Sequence, residues 1–245
     1  MKRNHRQWFR KLAEQGKVGS ICRRRLSFAV DYLADGYAFS RYQGNEGKTA
    51  VLIHGWGVRA SSMESLAEML YRAGYSVLNY DYPSSEKSIR QHAGRFLSCY
   101  RREHLRGKIH FLTHSMGGLI LRRALAEMTE AECRAIDSIV MLGPPNQGSL
   151  LALIGKAGPV RSLNVSLGDM VPGSDALRIP APRYLPPVGI IAGTLDGKVA
   201  FKSTALPGGL PCQRTSICCT HPGLRDPRNT GILIQYFFQH KTFQV

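Results

Sequence analysis

A chain of 245 residues, 43% of them hydrophobic, can bury one full core and is short for two. It holds no apolar run long enough for a transmembrane helix. Its basic start leads into neither an apolar stretch nor a small-residue cleavage site, so no secretory leader is expected and a cytoplasmic location is the default. The formal charge of +16 favours anionic membranes or nucleic acid in general terms. Nucleic-acid binding would rest on that charge alone and is not expected.

Six cysteines, Cys22, Cys99, Cys133, Cys212, Cys218 and Cys219, are scattered. They form neither CxxC spacing nor a dense disulfide framework, which argues for free thiols and against a zinc site. No phosphate-cradling glycine loop is evident, and no cofactor is expected.

In chain order, residues 1–48 read as a basic N-terminal segment, an arm plus a short helix. Lys2, Arg3, Arg6, Arg10, Lys11, Lys17, Arg23, Arg24 and Arg25 face a single acid, Glu14, across the first 25 residues. Trp8, Phe9 and Leu12 share one face of a short helix at this spacing. One reading is peripheral contact with an anionic membrane through residues 1–25, at about 1 kcal/mol per nearby basic residue. The other is a solvated arm whose Trp8 and Phe9 dock on the domain. A second helix is expected over residues 22–32, and Asp35-Gly36 reads as a turn.

The remaining chain, residues 49–245, reads as one α/β domain. Thr49 to Ile53 is a continuous apolar run suited to a strand buried on both faces, and His54-Gly55-Trp56-Gly57 follows its end. Those glycines let backbone N–H groups approach a ligand, making this a candidate oxyanion loop. Ser61-Ser62-Met63-Glu64 has capping-box spacing before a helix that ends at Gly74. Tyr75–Tyr80 is a strand, and residues 84–104 form a helix with a basic outer face carrying Arg90, Arg95, Arg101 and Arg102.

Ile109–Leu112 is a strand that runs into Thr113-His114-Ser115-Met116-Gly117-Gly118 and then a helix. This is the layout of a nucleophile elbow, in which a tight strand-to-helix turn lifts a serine hydroxyl out of the sheet. The helix N-terminus beside it suits chemistry that builds negative charge. Further strands are expected over Ala135–Leu142, Val188–Ala192 and Arg214–Cys219, and a closing helix over Asn229–His240. Residues 150–187 lose periodicity and gain proline and glycine, the pattern of a lid or binding loop. Alternating strands and helices predict an open, mostly parallel sheet with helices on both faces. His54, Ser115, Asp196 and His221 all fall just past strand ends, on one rim, where such sheets bind ligands.

These motifs resemble the α/β-hydrolase superfamily, in particular its small bacterial lipase and esterase branch. The resemblance spans about residues 49–240 and rests on the His54 loop, the Ser115 elbow, Gly143-Pro144-Pro145-Asn146-Gln147-Gly148-Ser149, Asp196-Gly197-Lys198-Val199 and His221, in the order Ser, Asp, His. It implies Ser115 as nucleophile, His221 as base and then acid, Asp196 as the carboxylate orienting the imidazole, and backbone N–H groups of Trp56 and Met116 as the oxyanion hole. The implied activity is a serine hydrolase cleaving carboxylic esters through an acyl-enzyme, with a small-molecule ester or lipid-like substrate. An acyltransferase or thioesterase on the same scaffold, or a non-catalytic binding protein that keeps the elbow, are the alternatives. Asp169 and Asp175 are the reserve acids, while His54, His104, His110 and His114 compete with His221. The chain departs from the pattern at Thr113, where glycine is usual, in the three-residue link between Ala192 and Asp196, expected to leave the site open, and at Pro222-Gly223 after the base.

Overall fold

The computed structural model describes residues 29–33, 36–44, 47–154 and 165–244. The arm over residues 1–25, with its membrane reading, lies outside them.

Eight strands form one sheet: β1 (Ala29–Leu33), β2 (Tyr37–Tyr42), β3 (Lys48–Ile53), β4 (Ser76–Asp81), β5 (Lys108–His114), β6 (Ile136–Leu142), β7 (Val188–Gly193) and β8 (Gln213–Ile217). Their order is β1-β2-β4-β3-β5-β6-β7-β8. β2 runs antiparallel to β1 and β4, and every other pairing is parallel.

Alternation along the parallel strands divides the core into two layers, because successive side chains of a strand point to opposite faces. Phe111, Met141 and Ile190 join Phe96, Leu119 and Ile120, from the helices Ile89–Arg102 and Met116–Glu127. Their chain neighbours Leu112, Leu142 and Ile191 join Leu66, Leu70, Ile234 and Phe237, from the helices Glu64–Arg72 and Pro227–His240. A sheet covered on both faces is what the continuous apolar runs predict.

Four local expectations need correction. Residues 29–32, expected in a helix, form β1 together with Leu33, and with β2 they start the sheet well before residue 49. Tertiary pairing overrides the local helical pattern here. The box at Ser61 does not form: a 3-10 turn, Ala60–Met63, occupies it without a side-chain cap, and Glu64 instead accepts from the Tyr42 hydroxyl. Capping boxes form at Ser88–Gln91 and Thr129–Glu132. Finally, the helix Glu130–Arg134 was not foreseen, and Arg95 lies over the Tyr37 ring rather than on a purely solvated face.

Candidate active site

β5 ends at His114, and Ser115 turns the chain into the helix Met116–Glu127 at φ 53°, ψ −125°. A non-glycine residue in that region stores strain of order 1–3 kcal/mol, tolerated only where the surroundings over-determine it. Here the Ser115 N–H donates to Leu142 O at 2.8 Å, and its carbonyl accepts from the Gly118 N–H at 2.9 Å. His114 and Met116 are buried, yet Ser115 keeps partial exposure. A Cβ on Gly117 would sit 2.3 Å from Ile53 O and 2.6 Å from His54 O, so no side chain fits beneath the turn.

Thr113 is wholly buried, paired with Ile53 and Met141 in the sheet. The turn accommodates the side chain that replaces the usual glycine. Its hydroxyl has no partner among the described residues.

The loop after β3 packs directly on the elbow. A Cβ on Gly55 would lie 2.9 Å from the Ser115 Cβ and 3.0 Å from His114 Nδ1. His54 holds this loop from behind: its ring stacks on Tyr82 at 4.1 Å between centroids, and its carbonyl accepts from the Tyr82 hydroxyl at 2.7 Å. Trp56 lines the cleft, while Met116 is the first residue of the helix, where backbone N–H groups have no intrahelical acceptor.

Asp196 follows β7 by three residues. Thr194 N–H donates to Ile217 O at 2.8 Å and Leu195 N–H to Cys219 O at 3.1 Å, stitching the link to β8 and its exit. With this link the Asp196 side chain is 1% exposed and that of His221 is 7% exposed. Asp196 Oδ2 accepts from His221 Nδ1 at 2.6 Å, and Oδ1 accepts from the N–H groups of Lys198 at 2.8 Å and Val199 at 2.9 Å. Burial alone would push the Asp196 carboxyl up. The hydrogen bond and charge of His221, with the two amides, outweigh it and hold the carboxyl below its ordinary range.

A carboxylate so depressed contributes stability above the unfolded carboxylate pKa of about 3.9, and that contribution is lost as pH falls through the lower folded value. The stability gap between the wild type and Asp196→Asn, followed by urea unfolding, is accordingly expected to be widest near neutrality and to close in acid. A gap independent of pH would contradict this.

Pro222 opens the 3-10 turn Pro222–Arg225, a position where its missing N–H costs nothing. The His221 carbonyl accepts from His114 Nε2 at 3.1 Å, and the two rings lie 4.7 Å apart. Burial, with the adjacent His221 and Arg225, pushes the His114 pKa well down, so His114 is a neutral donor to the His221 carbonyl. The loop after β6 secures the segment that follows Asp196: Ser149 Oγ donates to Lys198 O at 2.8 Å, and Asn146 Nδ2 to Thr204 O at 2.7 Å. Arg122, buried in the elbow helix, donates to Asn146 Oδ1 at 3.1 Å.

His114 adjoins His221, and the other competing residues do not line the cleft. Asp169 accepts from the Ile89 N–H at 2.7 Å, and Asp175 pairs with Arg178 at the surface. His104 is exposed. His110, early in β5, bonds Ser138 Oγ at 2.8 Å. Ser115, His221 and Trp56 line one cleft, walled by Val58, Leu167, Met170 and Val199. Arg225 also lines it, and nothing in the sequence marked that residue. Among the described residues no group of three or more His, Cys, Asp or Glu is placed to hold a metal ion, and no helix is long and apolar enough to cross a membrane.

The sequence profile of a family described as "Domain of unknown function (DUF7379)" matches residues 30–175. No curated protein matches the chain by sequence. Among solved structures, the propeptide form of the Bacillus licheniformis lipase BlEst2 is similar at a TM-score of 0.68 and 16% identity, over 82% of this chain and 53% of that one. The chain thus spans about half of that relative's length. Est1E from Butyrivibrio proteoclasticus is similar at 0.60 and 17%, over 87% and 98% of the two chains. The esterase RhEst1 from Rhodococcus sp. ECU1013 is similar at 0.59 and 19%, over 88% and 99%. At these identities the likeness is one of fold.

Proposed function

Since the chain belongs to the family described as the domain of unknown function DUF7379 and has the α/β-hydrolase fold, we propose that it is a serine hydrolase cleaving carboxylic esters through an acyl-enzyme. The observation that carries this reading is the buried Asp196–His221 pair, at 2.6 Å, opening onto the same cleft as a serine held at positive φ.

A serine hydroxyl is a poor nucleophile until a base accepts its proton. With His221 Nδ1–H donating to Asp196, Nε2 is left with a lone pair to take the Ser115 proton. As Ser115 Oγ bonds to the ester carbonyl carbon, negative charge moves to the carbonyl oxygen. The N–H groups of Trp56 and Met116 stabilise it, each worth about 3–4 kcal/mol by analogy with a well-studied oxyanion hole. Asp196 balances the imidazolium. Collapse expels the alcohol, which takes its proton from His221, and a water molecule repeats the sequence on the acyl-Ser115 ester.

Ser115→Ala is expected to abolish turnover of a short soluble ester while leaving the circular dichroism spectrum unchanged. Mass spectrometry of quenched wild-type reactions should show one acyl group, on Ser115. Unchanged hydrolysis in Ser115→Ala would overturn the reading.

A further inference from the structure

Arg225 lines the cleft beside Ser115 and His221, yet the ester chemistry described above gives it no task. It ends the short turn that begins just after His221. Its side chain is partly withdrawn from water, its Nε is buried with no hydrogen-bond partner, and burial lowers its pKa. No ion pair among the described residues includes it. Asp226, next in the chain, is already committed: its carboxylate accepts from Arg228 Nε at 3.0 Å and Nη2 at 2.5 Å, and from the Arg228 backbone N–H at 2.9 Å.

The rest of the lining fits the same picture. Lys198 supplies a second cation, and no Asp or Glu lines the cleft among the described residues. Asp196 has both carboxylate oxygens engaged, with His221 and with backbone amides. A half-buried guanidinium whose Nε has no partner keeps only part of its hydration, and an anion seated beside it would satisfy that group. The planar guanidinium fork matches a carboxylate or phosphate in two parallel hydrogen bonds.

We infer that the ester accepted by this site carries an anionic group, a carboxylate or a phosphate, that pairs with Arg225 while its apolar part lies along Leu167, Met170 and Val199. The inference rests on the hydrolase reading and narrows its substrate class.

Two substrate pairs test it: monophenyl glutarate against its neutral methyl ester, and a monobutyrylglycerol phosphate against monobutyrylglycerol. The wild type is expected to show a higher kcat/KM for the charged member of at least one pair, and the pair with the larger ratio identifies the anion. Arg225→Gln should lower that ratio by ~10- to ~100-fold, the range of a charge-assisted hydrogen bond. Arg225→Lys should restore part of it, which a merely misfolded Gln variant would not allow. No preference for either charged ester, or a preference that survives in Arg225→Gln, overturns the inference.

Calorimetric binding of monophenyl glutarate and its methyl ester to Ser115→Ala, with and without Arg225→Gln, reads the anion site without turnover. Charge-selective binding that depends on Arg225 supports the site even if hydrolysis fails. Equal binding of the two esters overturns it.

Discussion

Asp196→Asn is expected to lower kcat on a short ester by roughly ten-thousandfold, as loss of the orienting carboxylate does in a well-characterised serine protease. The reason lies in how this acid is held. Asp196 Oδ1 already accepts from two backbone N–H groups, those of Lys198 and Val199, so an asparagine would keep its carbonyl oxygen there. Its NH₂ would then face His221 Nδ1, at the 2.6 Å contact now made by Oδ2. Two donors cannot share that contact. The imidazole would be driven to the tautomer with its proton on Nε2, leaving no lone pair for Ser115. The side-chain shape is unchanged, so unfolding should stay cooperative while activity collapses. A loss of less than tenfold would show that Asp196 does not set the state of His221.

Gly117→Ala should destabilise the protein by about 1–3 kcal/mol or more in urea unfolding, the usual range for overpacking. Two effects compete. In an isolated helix, alanine is better than glycine by up to about 1 kcal/mol. Here the added methyl would meet the carbonyl oxygens of Ile53 and His54 at 2.3 and 2.6 Å, and these are backbone atoms at the end of a central strand. They move only if β3 and the loop carrying Trp56 move with them, so the steric cost outweighs the propensity gain. Activity should fall together with stability, because that loop packs on Ser115 through Gly55. A variant as stable as the wild type would contradict the account of why two glycines follow the serine.

The parts of the fold legible in the sequence are those fixed by burial on both faces. β3, β5, β6 and β7 each contain an apolar stretch long enough to mark a buried strand without reference to a partner's sequence. β1 and β2 were missed because an edge hairpin takes its stability from pairing with β4, which no local pattern announces. The serine turn was readable because its geometry demands specific residues at fixed offsets. Asp196 was less distinct, since Asp-Gly is also ordinary turn chemistry, and only the bond to His221 separates it from Asp169 and Asp175. Arg225 has no such signature. An unpaired cation is recognisable only once the surrounding carboxylates are known to be engaged elsewhere.

Covalent labelling by a fluorophosphonate probe tests the central claim most directly, because it requires an activated serine and no knowledge of the substrate. The wild type should take up one probe molecule, on Ser115, while Ser115→Ala takes up none and His221→Ala reacts far more slowly. A folded wild type that remains unlabelled, or labelling that persists in Ser115→Ala, would contradict the account.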